Sequence, residues 1–321
     1  MGVIVVGAGI AGVSCAVELR ARGVDVTVLE RARGAGGRLA VHRHDGRPAD
    51  IGAAYFTVSG EGGAEGFDEQ VGRWRRAGLV REWTDTLAVF DGTARAPDSP
   101  GPVRFAAPGG LRSLVTDLAR DLDVRTGHTV SAVRPGPGGP TADGEPHDAV
   151  VLAMPDPQAA RLLEPGTAAG AAVAGREWDP VLALTLGFGA RDWPRLPAAF
   201  VNDHPVLSLV ADDGDRRGDG APVLVAHSTG ALARAHDADP AAAVPAMTAA
   251  VRALLGIGAE PAWTHVHRWR FAAPAARREA AFHLDDEGIG LAGDGWGRSR
   301  VQTAWVSGRR LGRALATWLG H

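Results

Sequence analysis

The chain opens on an unbroken apolar run, Val3-Ile4-Val5-Val6, which passes through glycines into a second apolar stretch of helical length. A short run with no polar interruption marks a strand buried on both faces, as in a parallel sheet. The same pattern predicts a helix over residues 10–22, a strand over 25–29 and an extended piece over 39–44. Residues 65–77 place Phe67, Val71 and Trp74 on one helical face, and residues 80–90 alternate as a strand. Residues 94–102 read as turn, because Pro97, Pro100, Gly101 and Pro102 crowd them. A helix is predicted over 111–122 and strands over 123–126 and 129–134; a Gly- and Pro-rich hairpin loop follows over 135–146, then an apolar strand over 149–154. From about residue 168 the spacing changes. Residues 182–188, 206–211, 223–227 and 263–271 alternate or run apolar with turn signals between them, which predicts an antiparallel sheet. A helix over 241–255 interrupts that series, and the chain closes on a short strand, 289–292, and a helix over 303–319.

The expectation is an α/β fold in two units. A mainly antiparallel α+β unit, residues 63–102 and 166–279, is inserted into a strand-turn-helix unit made of residues 1–62, 103–165 and 280–321. A hydrophobic content of 45% supports a real core, and a net charge of −3 leaves no electrostatic footprint for nucleic acid or an anionic membrane. One cysteine, Cys15, excludes an internal disulfide and a cysteine metal cluster, and its place in the predicted first helix makes it a small core residue. No metal is expected, since no ligand cluster has metal spacing. No apolar run reaches membrane length without charge, and the N-terminal run lacks a basic flank, so it reads as strand and helix and not as a leader. The expected location is the cytoplasm. All 34 basic residues are arginine.

Three motifs carry chemistry. Gly7-Ala8-Gly9-Ile10-Ala11-Gly12 follows the first strand, and Glu30 closes the second. Gly7 allows the tight turn, Gly9 lets a pyrophosphate approach the backbone, and Gly12 lets the helix pack on the sheet. The helix N-terminus supplies N–H groups to phosphate, and Glu30 accepts from a ribose diol. The second motif is Glu30-Arg31, then Gly36-Gly37-Arg38; the third is Gly293-Asp294 after a strand, with Val301-Gln302-Thr303 opening the last helix. A simple helix cap by Thr303 or Ser299 is the alternative for the third.

With these motifs the chain resembles renalase-type FAD oxidoreductases, a branch of the flavin amine oxidase group. Asp50-Ile51-Gly52-Ala53-Ala54-Tyr55-Phe56-Thr57, Ala107-Pro108-Gly109-Gly110, Val225-Ala226-His227, Trp269-Arg270-Phe271-Ala272 and Gly293-Asp294-Gly295-Trp296 extend the resemblance end to end. It implies a glutathione-reductase-type, Rossmann-like domain with non-covalent FAD. Arg38 would lie near the pyrophosphate, the Val130 backbone at the adenine, and Asp294 near the ribityl chain. Gly52, Ala53, Ala54, Tyr55 and Phe56, with Val301, Gln302 and Thr303, would border the isoalloxazine. The implied reaction is hydride transfer from a small-molecule substrate to flavin N5, with O2 as acceptor and H2O2 as product. The renalase substrates are isomeric dihydronicotinamide forms of NAD(P)H. The implied state is a monomer or homodimer. Ala54 stands where the family usually has glutamine, and Val301-Gln302-Thr303-Ala304 replaces a Val-Glu-Gly-Ala pattern, which leaves the substrate open.

The rival reading is an amine oxidase or natural-product oxidase. The usual lysine-held water of amine oxidases is excluded, since the chain has no lysine. A third reading is a low-turnover FAD-binding protein. Tyr55, His227, His267, Trp269 and Trp296 are the catalytic candidates, each equally readable as core. Trp263, His265, His267 and Trp269 recur with period two, on one sheet face. His204, His236 and His283 fall in loop-like segments and read as solvated. Arg216, Arg217 and Arg234 either meet a substrate phosphate or lie on the surface.

Overall fold

The computed structural model describes residues 2–60 and 65–321. Among them a six-stranded sheet runs in the order His283–Leu284, Ile289–Leu291, Ala149–Leu152, Val3–Val6, Val26–Glu30, Asp123–Thr126. Every pair is parallel except the first. Val3–Val6 is central, and all four residues are buried, as a continuous apolar run requires. The chain leaves it toward Val26–Glu30 on one side and later returns as Ala149–Leu152 on the other. That reversal puts the ligand-binding crevice of an open α/β sheet at the end of Val3–Val6, where the glycines begin.

An eight-stranded sheet runs in the order Trp263–Pro274, Trp178–Gly187, Val223–Ser228, Leu207–Asp212, Ala198–Asn202, Arg81–Asp91, Ala94–Ala106, Phe56–Thr57. Its pairs are antiparallel apart from Ala198–Asn202 with Arg81–Asp91. One face packs Leu182, Leu184, Leu224 and Ala226 against Met247 and Val251 of the helix Val244–Leu255. The opposite face meets the first unit, where Val223, Val225 and Trp263 pack on Ala49. Ala49 belongs to a hairpin, Val41–His44 with Arg47–Asp50, whose turn residues Asp45 (φ 48°) and Gly46 (φ 82°) have the two positive angles of a type I′ turn.

Several expectations need correction. Residues 94–102 are strand and not turn. They pair only with Arg81–Asp91, in a ladder broken by register shifts, while Phe56–Thr57 bonds the same strand further on, at Arg104 and Phe105. Prolines are tolerated on such an edge because no ladder needs their missing N–H. The strand predicted over 129–134 shrinks to Val133–Arg134, since the Ser131 and Ala132 N–H groups donate to the Asp143 carboxylate (2.8 and 3.0 Å) instead of to a ladder. The helix predicted over 111–122 is Arg112–Leu118. An unpredicted helix, Asp213–Arg217, is capped by Asp212, which accepts from Asp215 N, and stopped by Gly218 at φ 82°. The expected unit boundary at 102/103 cuts the strand Ala94–Ala106, and the one at 62/63 lies outside the described residues. No described helix is long and apolar enough to cross a membrane.

The first helix, Ile10–Arg20, packs on the last, Val301–Trp318, by near backbone contact. Ser14 Oγ donates to Trp305 O (2.9 Å). A Cβ on Gly308 would land on the Ala11 carbonyl oxygen, and one on Gly312 would stand 2.8 Å from Cys15 O. Gly308→Ala is therefore expected to lower unfolding stability by about 1–3 kcal/mol, the usual cost of forcing atoms into a packed contact. Gly258→Ala, whose Cβ meets nothing within 4 Å, is expected to be close to neutral. Urea unfolding of both variants checks this, and equal midpoints would count against the close crossing.

Candidate functional site

The cradle forms at the end of Val3–Val6. Gly7 takes φ 110°, which an L side chain resists, and its N–H donates to Leu29 O (2.8 Å). Gly9 caps the first helix with no side-chain bond and no acid in the first turn, so the terminal N–H groups stay available. A Cβ on Gly9 would meet nothing nearer than 3.9 Å, the Cα of Gly37. Gly36 N donates to Ala8 O (2.9 Å), so the second glycine pair docks on the first. Glu30 accepts from Ala8 N (2.9 Å) and Ala32 N (2.8 Å), one bond to each carboxylate oxygen, which leaves lone pairs on both. The Val130 side chain is buried, while its main chain makes no hydrogen bond with a described residue. Arg31 is exposed.

Arg38 ties the two ends of the chain together. Its guanidinium holds both Asp294 oxygens, donates to Ala272 O (2.9 Å) and lies 5.0 Å from the Trp178 ring centre. Ser299 Oγ also donates to Asp294 (2.5 Å). Uncapped N–H groups, a ribose-ready carboxylate, an unpaired main chain at Val130 and an arginine at the glycine loops fit a dinucleotide. They are the donor set that pyrophosphate, ribose and adenine require.

The next segment, Asp50–Phe56, is held from the second sheet. Arg216 donates to Ala54 O (2.9 Å) and Asp50 O (3.3 Å), and Trp269 Nε1 donates to Ile51 O (2.6 Å). Beneath it lie two carboxylates and two guanidinium groups, Asp50, Asp213, Arg216 and Arg217, none more than 5% exposed. Arg217 bridges Asp213 (2.9 Å) and Asp50 (3.0 Å), Arg216 pairs with Asp213, and Arg47 adds a further bond to Asp213 (2.7 Å). Burial alone would raise Asp213, but Arg216 and Arg217 hold it down at about 2. Asp50 also accepts from Leu111 N (2.8 Å). Arg216 and Arg217 are thus neither surface residues nor free phosphate ligands. Arg234 is exposed and pairs with Asp179 (2.9 Å).

His227, Ala183 and His267 share one row across three strands, with Leu209 beside His227. Burial, then the Arg216 charge, push His227 down to about 4 against a main-chain bond with Gly52, and its Nε2 has no partner. His267 is lowered by burial, then by His42 and Arg268; His265 by burial, then by His267. His42 stacks on His265 (3.5 Å), His44 on Trp263 (3.9 Å), and His267 meets Trp269 edge-on (4.4 Å). Burial thus holds the imidazoles of His227, His265 and His267 toward the neutral form. Tyr55 packs nearby with Trp83, Leu209 and Phe200, under the Arg104 guanidinium at 5.4 Å.

Three expected site residues stand elsewhere or are occupied. Trp296 lies in the apolar cluster of Leu152 and Leu291, with Arg278 over its ring at 4.0 Å. The Phe56 ring is core, stacked on Phe105 (5.4 Å). The Gln302 side chain is taken by Ser59, accepting from its N and donating to its O (2.9 Å each). His283 is in a strand and pairs with Asp285, so it is not a solvated loop residue. Sequence reasoning missed Arg112, whose Nε donates to Ala35 O (2.8 Å) and whose side chain covers Gly34 and Gly36. It also missed the buried Asp156–Arg278 pair (2.8 Å), to which Trp178 Nε1 donates (2.9 Å). Among the described residues no group of three His, Cys, Asp or Glu is placed to hold a metal.

Residues 5–65 match an NAD(P)-binding Rossmann-like domain, and residues 81–315 match the flavin containing amine oxidoreductase family. A hydroxyneurosporene desaturase of Rubrivivax gelatinosus is 48% identical over 56 residues, 17% of this chain and 11% of that protein, so the match spans about a tenth of that relative. Cyclohexylamine oxidase from Brevibacterium oxydans superposes with a TM-score of 0.77 at 15% identity, covering 100% of this chain and 99% of that one. Wild-type putrescine oxidase bound to putrescine superposes with a TM-score of 0.74 at 16% identity, covering 98% and 99%. At these identities the two structures share the fold. With the dinucleotide cradle in place and the family match covering more than half its residues, the chain belongs to the flavin containing amine oxidoreductase family and is an FAD-dependent oxidoreductase.

Proposed function

We propose that this enzyme is a renalase-type oxidase acting on isomeric dihydronicotinamide forms of NAD(P)H. The carrying observation is the neutral wall. His227 and His267 are shifted toward the neutral form, Trp269 carries no charge, and the buried carboxylates Asp50 and Asp213 are taken up by Arg47, Arg216 and Arg217. An alkylammonium finds no unpaired anion there, whereas a dihydronicotinamide ring is neutral and already carries a transferable hydride. Bound FAD supplies the two-electron redox chemistry, and the balance is dihydro-isomer plus O2 plus H+ giving NAD(P)+ plus H2O2.

In this reading Gly7, Gly9, Gly12, Glu30, Arg38, Val130 and Asp294 hold the ADP and ribityl parts. Residues 52–56 and the main chain at 301–303 border the isoalloxazine. The helix N-terminus at Val301, uncapped and without an early acid, favours negative charge on the flavin. The histidine–tryptophan row orients the donor and excludes water. Residues 1–62, 103–165 and 280–321 act as the cofactor unit, and 63–102 and 166–279 as the substrate unit. The family match favours a second reading, a neutral amine oxidised over the same wall.

Anaerobic stopped-flow absorbance at the oxidised-flavin band separates the two. The 2- and 6-dihydro isomers are expected to bleach the band rapidly, while ordinary NAD(P)H and a panel of amines leave it. Bleaching by an amine alone would replace the first reading with the second.

A pH dependence also follows. His227 titrates near 4 in the folded chain, against 6.5 for the ordinary side chain. The folded state therefore binds fewer protons than the unfolded state across that interval. The stability contributed by the neutral ring is complete above pH 6.5 and is lost as the pH falls toward 4. The melting temperature is expected to drop over that range, and to drop less steeply in His227→Gln. Equal acid slopes in the two proteins would count against a buried neutral imidazole.

A further inference from the structure

Three arginines are buried among the described residues, Arg104, Arg216 and Arg217. Arg216 and Arg217 hold aspartates, as burial of a charge requires. Arg104 holds no described carboxylate. Its Nη1 donates to Asp85 O (2.8 Å) and Pro102 O (3.5 Å), and the guanidinium lies over the Tyr55 ring at 5.4 Å. These partners are two carbonyl dipoles and a ring face, and none carries a full negative charge. Nε is buried without a partner, and Nη2 makes no hydrogen bond with a described residue. The acids beside this group are turned elsewhere. The Asp85 carboxylate accepts from Thr86 Oγ1 (2.8 Å), and Asp215 accepts the Trp83 indole N–H (2.7 Å).

The two groups left over are not arbitrary. Nε and Nη2 form one edge of the planar fork, the edge that meets a carboxylate or phosphate with two parallel N–H bonds. The fork is carried on a rigid element, since Arg104 pairs in register with Thr57 on one side and Thr84 on the other. Tyr55, under the guanidinium, packs with Trp83, Phe200 and Leu209 in an apolar patch whose four members are each partly exposed. Leu209 stands opposite His227, so the patch continues the row of His227, Ala183 and His267 along the same face. Gly101 is exposed, and a Cβ there would stand 3.3 Å from Nη2, so the glycine leaves the approach to that nitrogen open.

We propose that Arg104 is the anion-recognising residue of this face, holding a carboxylate or phosphate group of the substrate on its Nε–Nη2 edge. The anion supplies the counter-charge that the chain itself withholds, and the Tyr55 ring supports the guanidinium from its other side. Dihydronicotinamide dinucleotides carry such a group in their pyrophosphate, and an acid-bearing amine carries one in its carboxylate. The inference rests on the proposed function in one respect, that this face of the second sheet receives the substrate. It does not depend on a dihydronicotinamide being the hydride donor.

The test uses the FAD-loaded enzyme, in which the dinucleotide cradle is already filled, and calorimetric titration with inorganic pyrophosphate, benzoate and the uncharged control benzamide. The unaltered enzyme is expected to bind at least one of the two anions and to ignore benzamide. Preference for pyrophosphate points to a phosphate-bearing substrate, and preference for benzoate to a carboxylate-bearing one. Arg104→Met is expected to weaken anion binding by about tenfold or more, the worth of hydrogen bonds to a charged group, and Arg104→Lys to recover part of the loss. If Arg104→Met does not fold, Gly101→Val decides, since it crowds Nη2 from an exposed position and keeps the charge; it too is expected to weaken the anion. In turnover with the true substrate, Arg104→Met is expected to raise KM with little change in kcat. No anion binding by the unaltered enzyme, or unchanged affinity in the folded variants, would overturn the proposal. Because binding is read without turnover, an enzyme that no dihydro isomer reduces, yet that holds the anion through Arg104, loses the dihydronicotinamide reading and keeps this one.

Discussion

Two aspartates and two arginines sealed from water govern how the halves of this protein meet. Asp50 comes from the hairpin of the cofactor side; Asp213, Arg216 and Arg217 come from a short helix of the second sheet. Formal charge cancels within the group, which is what permits its burial. Such groups add little net stability over a well-packed apolar core, yet losing one partner costs on the order of 3–5 kcal/mol, because it strands a charge. The consequence is selectivity of arrangement. An alternative docking of the two sheets that left any of the four unpaired would be strongly disfavoured. The loop that follows Asp50 inherits its position from this constraint, as does Leu111, whose N–H the Asp50 carboxylate receives.

The dinucleotide half of the molecule is legible in the sequence because each of its functions needs one residue type at one place. Gly7, Gly9 and Gly12 answer to backbone geometry, and Glu30 to the end of the neighbouring strand, so a local pattern carries them. The second sheet is legible as strands, since alternation survives at residues 182–188, 223–227 and 263–271. Its contacts are not. The Asp213–Arg217 helix is one turn long, too short for periodicity, and its arginines read as surface until the fold brings Asp50 beside them, more than 160 positions away in sequence. Pro97, Pro100 and Pro102 mislead in the other direction: local punctuation says turn, while an unpaired sheet edge makes the same residues strand. Trp296 and Phe56 show a further limit, because a motif places a residue near a site without saying to which side its ring turns.

The face of the second sheet that meets the Asp50–Phe56 segment is imidazole and indole, in a chain with no lysine. Stacking of His42 on His265 and of His44 on Trp263 ties the hairpin of one unit to the edge strand of the other. Both contacts are face-to-face, and burial shifts His42 and His265 toward the neutral form, so their stack meets little charge repulsion.

The crossing of the first and last helices carries a consequence for how the protein comes into being. Ile10–Arg20 emerges in synthesis well before Val301–Trp318, and Gly308 and Gly312 fit against Ala11 and Cys15 with backbone nearly touching backbone. A contact spanning almost the whole chain has the largest loop to close and therefore forms late. Until Val301–Trp318 has emerged, the nascent glycine loops lack both that packing and the Asp294 partner of Arg38. A chain interrupted upstream of residue 294 would carry the full N-terminal fingerprint yet lack the structure that closes it.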